Sequence, residues 1–223
     1  MPLTLNPGTL VVESAYPDPP FELMENGTAT GFDIELMRAV CTQLGLEGLA
    51  KCACDAVISG TTITPERSAT VLFSQPYLEF NQAIAVNRRR TPDIASTADL
   101  RGLTAGIQSG NTSDLVARRL LAQGHIAAIR YYPYHGIMAA LDDLEAGRIG
   151  LVIKLFPVIS WLVRDRAELR VAMQVPTGEK LGIAFANDRA DLCEAVDSAI
   201  RALRSNGTFA RLQARWLSAA AKA

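Results

Sequence analysis

An arginine placed one short turn beyond the end of a strand is a ready clamp for a carboxylate, and Gly60-Thr61-Thr62-Ile63-Thr64-Pro65-Glu66-Arg67 has that order. A guanidinium offers two parallel N–H donors to one carboxylate. The Thr62 hydroxyl and the Gly60 amide are expected to complete its coordination, with Thr61 on the same loop. A second anion seat is expected at Gly110-Asn111-Thr112, where the Asn111 and Thr112 amides would crown a helix N-terminus. Lys154 closes the apolar run Leu151-Val152-Ile153, and Asp18 stands in the stiff loop Tyr16-Pro17-Asp18-Pro19-Pro20. Asp18, Thr61-Thr62, Gly110-Asn111-Thr112 and Lys154 all fall just past strands, where open α/β sheets bind their ligands.

Other chemistries find little support. Only His125 and His135 are present, and no metal-ligand spacing is visible. Cys41, Cys52, Cys54 and Cys193 are too few and scattered for a disulfide scaffold, and Cys52-Ala53-Cys54 is not a Cys-x-x-Cys pair. They read as small buried residues, with a Cys41 bridge to Cys52 or Cys54 left open. No cofactor is expected. The 223 residues carry 22 basic and 23 acidic side chains, a net charge of -1, which removes the electrostatic footprint of a nucleic-acid binder. Arg88-Arg89-Arg90 reads as a solvated connector. No apolar run approaches the roughly 20 residues that span a bilayer, and no basic-then-apolar export signal opens the sequence.

The elements that must position these residues follow from periodicity. Thr9 to Ser14 and Asp55 to Ser59 read as strands, and Ile34, Met37, Val40, Cys41 and Leu44 lie on one face of a helix closed near Gly45. Thr64 suits an N-cap and Pro65 the first helical position. Further strands are expected at 103–107, 129–132, 150–153, 169–175 and 181–185, and helices at 112–124, 137–147 and from Pro157. The tail from Asp188 is helical through Leu203, with a last amphipathic segment at Phe209, Leu212 and Trp216. Strands alternating with helices imply crossover units in mainly parallel sheets, and two such series imply two α/β lobes.

At this point the chain resembles the type 2 periplasmic binding proteins for polar amino acids, the bacterial extracellular solute-binding family 3. The matching stretches are Pro20-Phe21-Glu22, Gly31-Phe32-Asp33-Ile34-Glu35-Leu36, Asp55 to Gly60, Thr62 to Arg67, Phe73-Ser74-Gln75-Pro76-Tyr77, Gly106 to Thr112, Gly182-Ile183-Ala184 and Asn206-Gly207-Thr208-Phe209. The resemblance implies a first lobe of residues 1–87 and 183–223, a second of 88–182, and a hinge of two crossing strands. It implies an extracytoplasmic protein, periplasmic or lipid-anchored and monomeric. Such a protein closes on a small carboxylate-bearing ligand in its interlobe cleft and presents it to a membrane ABC permease.

Three departures from the family pattern bear on the ligand. Typical members follow the strand at Val152-Ile153 with Gly-Asp, whose carboxylate takes an α-ammonium, whereas this chain has Lys154-Leu155. A buried cation there would want an anionic ligand group; the alternative is a lysine that snorkels to solvent. Second, Asp18 occupies the usual place of a ligand-stacking aromatic, with Tyr16 displaced by two residues. Asp18 is open between binding a cationic group, pairing with Lys154 and capping the proline loop. Third, Gly45-Leu46-Glu47 runs directly into Gly48-Leu49-Ala50, where the family has a further strand and a stacking aromatic. Two other functions stay in view. One is a cyclohexadienyl-dehydratase-like enzyme, with Glu13, Asp18 or Lys154 as acid candidates. The other is a receptor's sensor module, which the ending after Trp216 disfavours.

Overall fold

The structure, a computed structural model, describes residues 3–46 and 54–218. The strands are β1 (Val12–Glu13), β2 (Leu23–Glu25), β3 (Thr28–Thr30), β4 (Ala56–Val57), β5 (Leu72–Phe73), β6 (Leu78–Asn87), β7 (Thr104–Gln108), β8 (Ala128–Tyr132), β9 (Leu151–Leu155), β10 (Leu169–Leu181) and β11 (Ala184–Phe185). The helices are α1 (Phe32–Leu44), α2 (Pro65–Ser68), α3 (Ser113–Ala122), α4 (Ile137–Glu145), α5 (Phe156–Val163), α6 (Ala190–Ser205) and α7 (Thr208–Trp216). The short Glu47-Gly48 connection and Cys52 lie outside the described residues. Cys41, Cys54 and Cys193 are free thiols.

The chain divides into two compact units. The first takes residues up to Glu79 and from Glu179 onward, and the second runs from Phe80 to Gly178. The changeovers fall inside β6 and inside β10, so two continuous strands carry the chain from one unit to the other. The sequence reading places the boundaries at 87/88 and 182/183. The difference at β6 has a physical reason: Gln82 to Val86 pair in register with β9, which commits most of that strand to the second unit.

In the first unit the sheet order is β1-β4-β11-β5. β1 and β4 are parallel, and β11 runs antiparallel to both β4 and β5. The strand expected over 9–14 shortens to two residues because Val11 donates its N–H to the Asp55 carboxylate, 2.9 Å away, in place of a ladder bond. Helix α1 buries Ile34, Leu36, Met37 and Val40 and ends at Gly45 in the left-handed conformation, as its apolar spacing requires. Phe32 anchors the core, meeting the Phe209 ring edge-on at 5.6 Å. Gly31 admits no other residue: a Cβ there would lie 2.3 Å from the Phe21 carbonyl oxygen.

In the second unit the order is β10-β6-β9-β7-β8. β7 lies parallel to β8 and β9, as crossover connections demand, while β6 adds an antiparallel neighbour to β9. Ile84, Ile107, Leu120, Leu151 and Ile153 form its core. β10 runs past the expected end at Val175, through Pro176 and Gly178, to Leu181, and the strand expected over 181–185 is the separate β11 of the first unit. Side chains bridge the proline: Asn81 Oδ1 accepts from the Thr177 and Gly178 amides at 3.0 and 3.1 Å, and Thr177 Oγ accepts from the Gln82 amide at 3.0 Å. Arg88, Arg89 and Arg90 sit exposed in the turn after β6. Among the described residues no helix is long and apolar enough to cross a membrane.

Candidate functional site

In the first unit the loop after β4 is shaped by its cap. Thr64 accepts the Arg67 amide through Oγ at 3.2 Å, and Pro65 opens α2. This sets the half-buried Arg67 side chain back over its own loop, where Nη1 donates to the Thr62 carbonyl at 2.9 Å. This bond to a carbonyl restrains the guanidinium over the loop.

The two other donors expected to serve a carboxylate are engaged inside the unit. The Gly60 amide donates to Asp33 Oδ2 at 2.7 Å, and the Thr62 hydroxyl donates to Glu179 Oε2 at 2.7 Å. The physical reason is topological. Asp33 begins the buried face of α1 beneath the Gly60 loop, and Thr62 bridges to Leu181 at the end of β10, which brings Glu179 alongside. Gly60 itself has φ near 52°, with Phe21 packed where a side chain would start. Thr61 contributes its carbonyl, which accepts the Gly182 amide at 2.9 Å.

Asp33 also accepts the Tyr77 hydroxyl at 3.1 Å. Burial pushes its carboxyl up to about 7; the Gly60 and Tyr77 hydrogen bonds oppose the rise, and the charge of Asp18 adds to it. Asp18 closes the proline loop through its main chain, donating its amide to the Glu22 carbonyl at 3.0 Å and accepting the Phe21 amide at 3.1 Å. Glu22 is fully buried and accepts the Ser59 hydroxyl. Burial, then the Glu22 charge, raises the Tyr16 hydroxyl above its ordinary range. Asp33, Glu22 and Glu179 were not singled out as site residues by the sequence. The available signal was Asp33 standing between Phe32 and Ile34 at an inward position of α1.

In the second unit the candidate residues lie at the ends of β7 and β9. Lys154 is only 4 % exposed, which excludes the snorkelling alternative, and its Nζ donates to Gln108 Oε1 at 2.8 Å. The same oxygen accepts Asn111 Nδ2 at 3.4 Å, while Gln108 Nε2 donates to the Tyr134 carbonyl. Thr112 is the N-cap residue of α3, yet its side chain does not cap; its Oγ accepts Gln82 Nε2 at 3.2 Å. Gln82 Oε1 in turn accepts the Ser113 hydroxyl at 2.9 Å. Asn111, Thr112 and Lys154 are thus brought together, and Gln82 and Gln108 are the partners the sequence reading missed. Among the described residues no group of His, Cys, Asp and Glu is arranged to hold a metal ion.

The comparisons with known proteins bear on both halves. Residues 10–219 match the model of the bacterial extracellular solute-binding proteins, family 3. The chain belongs to this family. ABC transporter arginine-binding protein 1 of Escherichia coli K12 is 32% identical over 92% of this chain and 88% of its own length. Among solved structures, an ancestral arginine-binding protein bound to arginine superposes with a TM-score of 0.83 at 30% identity, covering 94% of this chain and 98% of that one. An ancestral amino acid-binding protein, described as a precursor of cyclohexadienyl dehydratase, gives a TM-score of 0.80 at 27% identity over 94% and 95% of the two chains. This family 3 chain therefore has the type 2 periplasmic-binding-protein fold, and the relatives named here are binding proteins.

Proposed function

We infer that this chain is the solute-binding component of an ABC transporter and that it binds a small carboxylate-bearing solute, an amino acid or related organic acid. One observation carries the reading: Arg67, on the first turn of α2, bends back over its own loop, with Nη1 donating to the Thr62 carbonyl just beyond β4, and strand ends are where open α/β sheets take their ligands. Family membership supports the transport role, a permease in the membrane as partner, and a place outside the cytoplasm, periplasmic or lipid-anchored. The protein acts as a monomer. The arginine named for several relatives supports the amino-acid class. Lys154 then selects within that class, favouring acids that lack an α-ammonium, since a buried lysine repels a second cation.

The test is a thermal-shift screen against L-arginine, L-glutamine, L-glutamate, succinate, 2-oxoglutarate and prephenate, since a solute that binds only the folded chain raises its Tm. An acid should stabilise the wild type, and Arg67→Ala should lower affinity for that acid roughly a hundredfold or more. Unchanged affinity in Arg67→Ala would refute the carboxylate anchor. Stabilisation by L-arginine alone would refute the role given to Lys154 and leave Arg67 in place. Turnover of prephenate would support the enzyme on this fold instead.

A further inference from the structure

We propose that Asp33 couples acid binding at the Gly60–Arg67 loop to its own protonation, so that the first unit grips a solute carboxylate most tightly while this buried carboxyl is neutral. The inference rests on the carboxylate-solute reading above and deepens it. Asp33 is fully buried at the start of α1, and its Oδ2 holds the loop from beneath, accepting the Gly60 amide at 2.7 Å. The same oxygen accepts the Tyr77 hydroxyl at 3.1 Å, so both donors are neutral. Oδ1 is buried and accepts no hydrogen bond among the described residues. An ionised carboxyl in this setting keeps a charge that neither donor offsets. Burial accordingly lifts the group to about 7, where it gains and loses its proton near neutrality.

The surrounding groups set the sign. The proline loop brings Asp18 and the buried Glu22, and the Asp18 charge opposes ionisation of Asp33. The segment after β5 brings Tyr77, whose hydroxyl burial and the Asp33 charge raise well above its ordinary range. Of the helices packed on α1, α6 sends Arg204 to the Tyr77 carbonyl at 2.7 Å, and α7 sends Arg215 to Glu35 at 3.1 Å. On α1 itself Arg38 donates to the Ala29 carbonyl, and β3 (Thr28-Ala29-Thr30) adds no charge. Arg67 stands at the far end of the loop, and both histidines, His125 and His135, belong to the second unit. An ionised Asp33 therefore sets a negative charge behind the loop, against an incoming carboxylate; a proton removes it and slackens the hold on the Gly60 amide. The coupling is reciprocal, since the bound acid raises the proton affinity of Asp33 by the same factor. One charge at the depth of a loop residue is worth roughly tenfold in affinity. Affinity is highest below about pH 7, falls over roughly the next pH unit and is level above it.

Calorimetric titration with the panel acid bound most tightly, from about pH 6.5 to 9 where these acids stay ionised, tests the coupling. Repeating it in two buffers of different ionisation heat counts the protons. The wild type should lose roughly tenfold in affinity across the range and take up about half a proton per acid midway through the fall. Asp33→Asn, neutral throughout, should keep the tighter affinity at every pH with no proton uptake. Tyr77→Phe removes a hydrogen bond that favours the ionised form, so the fall should move to higher pH. A wild-type affinity that is level across the range, or a slope that survives in Asp33→Asn, would overturn the proposal. If Asp33→Asn does not fold, Tyr77→Phe decides alone, and an unmoved fall overturns it. A folded wild type that binds none of the panel acids would overturn the carboxylate reading itself, and the proposal with it.

Discussion

The two units hold their polar residues in opposite ways. Around the Gly60–Arg67 loop the internal partners are carboxylates: Asp33 takes the Gly60 amide, Glu179 takes the Thr62 hydroxyl, and Glu22 takes the Ser59 hydroxyl. At the ends of β7 and β9 Gln108 Oε1 accepts from both Lys154 and Asn111, and beside them Gln82 pairs with Thr112 and Ser113, so these hydrogen bonds run through amides and hydroxyls. The lesson is that a list of donors does not define an anion site. A donor already committed to a carboxylate offers little to a ligand, whereas a neutral oxygen fixes a cation without opposing its field. The bond from Arg67 to the Thr62 carbonyl is of the second kind, inside the first unit.

Reversing the charge at position 154 should break this comparison most severely. Lys154→Asp is expected to lower affinity for panel acids roughly a hundredfold, because it replaces a buried cation with an anion. It should raise the response to α-amino acids, but only partly. Gln108 Oε1 faces residue 154, so an aspartate would meet the amide oxygen until Gln108 turned over and gave up its bond to Tyr134. Lys154→Met separates the two effects, losing acids without gaining amino acids. Calorimetric titration of both variants decides it; equal affinity for acids in wild type and Lys154→Asp would show that Lys154 does not read the ligand.

Much of the frame was legible in the sequence, because the signals are local. The spacing from Ile34 to Leu44 gives α1 and its glycine stop, and Thr64-Pro65 gives the start of α2. The alternation of strands and helices from β7 to α5 is written in short apolar runs between glycines. What the sequence hid was mostly long-range. Glu179 meets Thr62 across 117 residues, Gln108 meets Lys154 across 46, and Asp33 meets Gly60 across 27. No periodicity announces such pairs, and a glutamine at the end of an apolar strand looks like any other. The continuity of β10 was hidden for a similar reason, since Asn81 supplies the acceptor that compensates for Pro176 and Gly178.

A smaller effect is expected from Glu179. The Thr62 hydroxyl has one hydrogen, and while it points at Glu179 Oε2 it cannot donate to a solute. Glu179→Ala returns that donor, and one additional net hydrogen bond of about 1 kcal/mol corresponds to roughly fivefold tighter binding of a panel acid. Glu179→Gln is the sharper companion. Its amide oxygen can still accept the hydroxyl while the negative charge is gone, so a gain in Ala but not in Gln assigns the effect to the hydroxyl. A gain of equal size in both assigns it to charge, and no gain in either would mean that Thr62 takes no part in gripping the acid.

The smallest effect concerns stability rather than affinity, and it isolates the way the first unit buries acid. Asp33 has a folded-state carboxyl at about 7 against an ordinary 3.8, chiefly through burial. A carboxyl raised by folding binds more protons in the native state than in the unfolded chain. Its contribution is therefore fully present below about pH 4 and is lost as pH rises toward 7, so the wild type should melt at progressively lower temperature across that window. The side chain introduced by Asp33→Asn stays neutral throughout and can still accept the Gly60 amide through its oxygen. Asp33→Asn should therefore flatten the Tm profile between about pH 4 and 8 and raise Tm by a few degrees at the alkaline end. Calorimetric scans of both proteins across that range measure the difference directly. Parallel profiles would show that the slope comes from other acids, such as Asp197, whose carboxyl is also raised by burial, and that the Gly60 loop is held by a group already neutral at every pH tested.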